Sequence, residues 1–126
     1  MSENKNKILV VDDQEAYVLM IQELLEGNNF EVITAINGKE AILKTENNIP
    51  DLIITDIVMP ELDGIEVLLE IKKSAPEIPV IVMSGGNYGY GQSYLNMAKK
   101  LGANVILDKP FEMDVLLKQV KELLDK

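Results

Sequence analysis

"LIITDIVMPELDG" (52–64) runs four apolar residues straight into the carboxylate of Asp56, then into a loop holding Pro60 and Gly64. A short, continuous, β-branched run is what a strand covered on both faces requires. An unpaired buried charge is costly, so this strand has to open at Asp56 onto a polar setting. Other runs repeat the pattern. "ILVV" (8–11) leads into Asp12 and Asp13, "VIVM" (80–83) into Ser84, and "VIL" (105–107) ends close to Lys109. "EVITA" (31–35) supplies the remaining strand.

Amphipathic stretches lie between these runs. Residues 12–27 begin with acids, carry apolar residues at helical spacing and stop at Gly27, which predicts a helix. "NG" (37–38) reads as a turn before a helix over 39–48. Further helices are expected over 65–74, over 93–102 with Gly102 at the end, and over 112–126. Five strand–helix units in alternation give an α/β fold with a parallel sheet. A closed barrel would need eight such units. Right-handed crossovers leave a few doubly wound orders, of which 2-1-3-4-5 puts the ligand crevice at the carboxyl ends of strands 1 and 3.

A chain of 126 residues fits one domain, 1–126, with no linker or low-complexity segment. Its 12 basic and 21 acidic residues give a net charge of −9, which argues against gripping a nucleic-acid backbone. The absence of Cys and His removes thiolate chemistry and the usual proton shuttle. No signal peptide and no apolar run of membrane-spanning length is present, so a cytoplasmic protein with no membrane partner is expected.

In the order 2-1-3-4-5 the polar strand ends stand side by side, about 4.8 Å apart per strand. Asp56 lies in the middle, Asp12 and Asp13 one strand away, Ser84 one strand to the other side, and Lys109 two strands away on a long side chain. Three carboxylates this close repel unless a cation intervenes, and Mg²⁺ suits oxygen ligands. Asp56 is placed to act as a nucleophile, since carboxylates form acyl phosphates. Lys109 and the Ser84 hydroxyl could hold the oxygens of a phosphoryl group. An ionised carboxylate needs no base, in keeping with a chain that lacks His. Asp12 and Asp13 can also be read as a capping pair for the first helix, and Asp108 as a solvated neighbour of Lys109.

Together "ILVVDDQ", "LIITDIVMPELDG", "VIVMSG" and "ILDKPF" resemble the receiver domain of two-component response regulators, over essentially the whole chain. The resemblance implies a flavodoxin-like doubly wound (βα)5 fold of order 2-1-3-4-5, with Asp56 as phosphoacceptor. It implies an acidic pair at Asp12 and Asp13, and a Mg²⁺ ion with Asp13, Asp56 and the backbone carbonyl of Val58 as direct ligands. Ser84 would be the switch hydroxyl, Lys109 the phosphate-binding lysine, and the Lys109–Pro110 bond cis. The donor would be a phosphohistidine on a histidine kinase or phosphotransfer protein. Such a domain is not an enzyme beyond its own autocatalytic phosphorylation and self-dephosphorylation. A downstream protein would read the face formed by the predicted fourth helix, strand 5 and the closing helix.

Two departures stand out. Ile106 occupies the place of the family's usual aromatic switch residue. The segment from Ser84 to Lys109 is a few residues longer, in a glycine-rich loop carrying Tyr88 and Tyr90 with Tyr94 just after. Either Tyr88 or Tyr90 could replace the missing ring or contact a partner, or the rings could simply cover the neighbouring helix or sheet edge. Val58 and Gly86 carry no polar side chain to orient an attacking water, which suggests slow hydrolysis. Alternatives are a phosphorylation-independent adaptor receiver and a small metal-dependent phosphohydrolase. The latter usually has a second Asp two residues after the nucleophile, where this chain has Val58. A flavin or nucleotide module would want a phosphate cradle after strand 1, where "DDQEA" places acids.

Overall fold

The protein is described here by a computed structural model covering residues 5–56, 64–84, 96 and 98–125. Five strands, β1 (Lys7–Val11), β2 (Glu31–Ala35), β3 (Leu52–Asp56), β4 (Val80–Ser84) and β5 (Val105–Asp108), form one parallel sheet. Its order is β2-β1-β3-β4-β5, as expected. The helices are α1 (Glu15–Glu26), α2 (Gly38–Asn47), α3 (Gly64–Ser74) and α4 (Met113–Leu124). Residues 96 and 98–100 are also helical, within the span where a helix was expected before Gly102.

The continuous apolar runs are explained by the two faces of the sheet. Successive side chains of a strand point to opposite sides. Ile8, Val10, Leu52, Ile54, Ile81 and Met83 pack with Ile21 and Leu25 of α1 and Leu116 and Val120 of α4. Leu9, Val11, Ile53, Val80 and Val82 pack on the other side with Ala41 of α2 and Val67, Leu68 and Ile71 of α3. The central strands therefore have almost no solvent face, and their buried positions are apolar apart from Thr55 and the strand-end residues Asp56 and Ser84.

Local chemistry moves several boundaries. The ladder extends through Asp12, whose N–H donates to the Ala35 carbonyl at 3.1 Å. The Asp12 carboxylate then accepts from the Gln14 N–H at 2.9 Å. These bonds hold 12–14 in a turn, so α1 begins at Glu15 rather than at the acids. The capping-pair reading of Asp12 and Asp13 is thereby corrected: Gln14 is the N-cap residue, and no side chain caps this helix. Gly27 does close α1, but in right-handed geometry; the left-handed residue is Asn29, with φ 73°. Asparagine tolerates that region because its short polar side chain bonds locally.

"NG" is a helix start more than a turn. Asn37 caps α2 by accepting from the Glu40 N–H at 2.8 Å, and the Glu40 carboxylate reaches back to the Ile36 N–H at 2.8 Å. This is close to a reciprocal capping box. Replacing Asn37 by Ala should cost about 1 kcal/mol, read as a lower urea midpoint with an unchanged slope; an unchanged midpoint would show that the cap is dispensable. Gly102 has φ 110°, and a Cβ there would meet Lys72 Cε at 3.0 Å, so this turn needs glycine.

Candidate functional site

The carboxyl edge of the sheet gathers three charged side chains by simple alternation. Asp12 continues the stripe of Ile8 and Val10, Asp56 that of Leu52 and Ile54, and Lys109 that of Val105 and Leu107. All three thus stand on the side that packs against α1 and α4. Asp12 is fully buried and Asp56 nearly so.

Lys109 reaches across two strands, as its side-chain length suggested. Its ammonium donates to Asp12 Oδ2 at 2.8 Å, to Gln14 Oε1 at 2.8 Å and, more weakly, to Asp56 Oδ2 at 3.4 Å. Burial alone would lower its pKa. The hydrogen bond to Asp12 and the charges of Asp56 and Asp12 outweigh that, and the pKa is raised above the ordinary lysine value. The ammonium therefore stays charged at physiological pH. It also lies 4.3 Å above the ring of Tyr17, which packs against Phe111 with centroids 5.9 Å apart. The Lys109–Pro110 peptide bond is cis.

Asp12, Asp13 and Asp56 can each bring a carboxylate oxygen within 4.8 Å of the others. A small divalent cation with ligands at 2.0–2.1 Å sets opposite ligands about 4.2 Å apart, so modest side-chain rotation would let this trio hold one. One ammonium against three carboxylates leaves the cluster net negative, which also favours a bound cation. The donor set is all oxygen, which suits a hard ion.

Ser84 stands in the neighbouring strand, one residue beyond Met83, the register partner of Asp56. By alternation it belongs with Val80 and Val82, on the α2–α3 side of the sheet. Ile106, opposite Val82 in register, packs on that same side. The Lys109 N–H donates to the Ser84 carbonyl at 2.7 Å. Asp108 is exposed, as expected of a solvated neighbour. Val58, Gly86, Tyr88, Tyr90 and Tyr94 lie outside the described residues.

Two residues of the site went unread in the sequence. Gln14 and Tyr17 both contact the Lys109 ammonium from the start of α1. Their only sequence signal is a spacing of three, which puts them on one side of a helical turn.

A family model for the response regulator receiver domain matches residues 8–121. The chain belongs to that family. This receiver domain is 37% identical over 121 residues to the chemotaxis protein CheY of Bacillus subtilis, covering 95% of this chain and 98% of that one. It is 34% identical over 119 residues to sporulation initiation phosphotransferase F of the same organism, covering 94% and 93%. It is 36% identical over 118 residues to the B. subtilis alkaline phosphatase synthesis transcriptional regulatory protein PhoP, but spans only 48% of that protein. Among solved structures it superposes on a CheY-like receiver domain protein from Methanospirillum hungatei with a TM-score of 0.90 and 30% identity, covering 97% of this chain and 95% of that one. The receiver domain is thus homologous to response regulators, consistent with phosphoryl acceptance in two-component signalling. Receiver domains interact with histidine kinases or phosphotransfer proteins. Among the described residues no helix is long and apolar enough to cross a membrane.

Proposed function

We propose that Asp56 is the phosphoacceptor of this receiver domain, that residues 1–126 act as one domain, and that it works in the cytoplasm. The observation that carries the reading is the position of Asp56. Its carboxylate ends β3 beside two other acids, 3.4 Å from the ammonium of Lys109.

In the proposed step an Asp56 carboxylate oxygen attacks phosphorus in line with the bond to the departing nitrogen of a phosphohistidine. A P–O bond forms, the P–N bond breaks, and the leaving imidazole takes its proton from solvent. Asp56 has no proton to lose. Lys109 turns one N–H from Asp56 toward a phosphoryl oxygen while Asp12 keeps its ammonium in place, and Ser84, the last residue of β4, would swing its hydroxyl over the end of the sheet toward another. Positioning and charge neutralisation supply most of the acceleration in such transfers. The group that fits the acidic trio is Mg²⁺; when bound it would neutralise developing charge on phosphoryl oxygens. Asp12, Asp13 and Asp56 would hold it, with the Val58 carbonyl as the further ligand implied by resemblance.

The test is incubation with acetyl phosphate and Mg²⁺, read by intact mass. One phosphoryl mass should appear, and none in chelator. A wild-type protein that stays unmodified refutes the reading. Rapid turnover of a chromogenic phosphate ester would instead favour a phosphohydrolase.

The metal has a readout of its own. Mg²⁺ at ten times its Kd should raise unfolding stability by about 1.4 kcal/mol. Asp13→Asn should remove most of that increment with little cost to the metal-free fold, because Asp13 is exposed. Equal Mg²⁺ stabilisation of both proteins would exclude Asp13 as a ligand.

A further inference from the structure

We infer that the groove between the C-terminal halves of α2 and α3 docks a cationic amphipathic segment of another protein, whatever the phosphorylation state of Asp56. The inference is independent of the proposed chemistry. The groove encloses about 170 Å³, with Ile42, Ile71 and Ala75 within it and Glu46 and Glu70 among its lining residues. A hydrophobic cavity of roughly 150 Å³ holds a benzene molecule, so this one takes a single Leu- or Phe-sized side chain. Ile49, another lining residue, is 65% exposed, so it offers an occupant apolar surface to bury.

Charge selects the occupant. Glu46 and Glu70 are both exposed, and neither carboxylate has an ion pair or hydrogen bond among the described residues. Two nearby lysines are committed elsewhere. Lys44 donates to the Thr34 carbonyl at 2.6 Å and lies 4.0 Å from Glu40. Lys72 donates to the Ile78 carbonyl at 2.8 Å and to that of Pro76 at 3.3 Å. Lys73, exposed on α3, can offset at most one carboxylate. An apolar slot between two uncompensated acids fits a Leu or Phe flanked by Lys or Arg at helical spacing. A second copy of this chain fits poorly, because it would bring another net charge of −9 to the acids.

Position makes the docking compatible with catalysis. Crossover helices run back against the strands, so the C-terminal halves of α2 and α3 lie at the amino edge of the sheet. Asp12, Asp56 and Lys109 occupy the opposite edge. A partner seated here leaves Asp56 open to its phosphoryl donor and tethers the domain.

The probe is a helical Lys-rich peptide with one Leu, titrated into the full chain and followed by isoleucine methyl resonances. Saturable shifts are expected at Ile42, Ile49 and Ile71. They should vanish for the Leu→Ser peptide and for a peptide with Glu in place of Lys. The double variant Glu46→Lys/Glu70→Lys should weaken binding about tenfold. Glu23→Lys/Glu122→Lys, which changes net charge equally on exposed helix positions, should weaken it less than about twofold. Asp56→Asn should bind as wild type. Ile49→Ser provides a second, uncharged variant and should also weaken binding. Shifts scattered over the surface, equal losses in both charge-reversed proteins, or no shift at millimolar peptide would overturn the proposal. A concentration-dependent dimer abolished by Glu46→Lys/Glu70→Lys would overturn it in favour of self-association.

Discussion

Asp56→Asn should abolish the phosphoryl adduct. The amide is nearly isosteric with the carboxylate but offers no anionic oxygen to attack phosphorus, and loss of a nucleophile costs at least about 10³-fold. The fold should survive. Asn fills the same space at the end of β3, and Lys109 keeps its 2.8 Å bonds to Asp12 and Gln14. Removing one of three crowded carboxylates relieves repulsion, so metal-free stability should hold or rise by about 0.5 kcal/mol. Intact mass and urea unfolding read the two effects separately. An adduct that persists in the variant would move the phosphoacceptor elsewhere, and peptide mapping would find it.

Lys109→Met should slow labelling by acetyl phosphate by about 10² to 10³-fold, the usual loss when one charge-stabilising donor is removed from such a site. Methionine keeps much of the apolar stem and discards the ammonium, together with its contact over the Tyr17 ring. Stability should fall as well. Asp12 is fully buried and loses its countercharge, and breaking one half of a buried pair costs about 3 kcal/mol. Added Mg²⁺ should restore part of that loss, because a cation then compensates Asp12. Wild-type labelling rates in this variant would show that Lys109 does not touch the phosphoryl group.

The central strands were legible because their buried positions are apolar up to the polar residues at their ends, Thr55 excepted, as strands covered on both faces require. The polar edge was legible for the same reason, since Asp12, Asp56 and Lys109 interrupt runs that otherwise exclude charge. The start of α1 was misjudged because acids before a helix look like caps, whereas Asp12 is consumed by the sheet ladder and by the Gln14 N–H. Gln14 and Tyr17 were invisible because Lys109 recruits them from the far end of the sequence, and no local pattern records a contact of that range. The sorting of polar residues by face could have been read. Counting back in steps of two from Asp56 and from Ser84 lands on opposite sides of the sheet.

That sorting turns the sheet into a partition. The carboxylates and the ammonium stand in one compartment; Ser84 and Ile106 stand in the other. The backbone bond from the Lys109 N–H to the Ser84 carbonyl belongs to the partition itself. A phosphoryl group that pulls the Lys109 backbone toward Asp56 must drag Ser84 along or break that bond. Under the proposed phosphorylation of Asp56, such a shift would reach the other compartment through the main chain, whether position 106 holds a ring or an isoleucine.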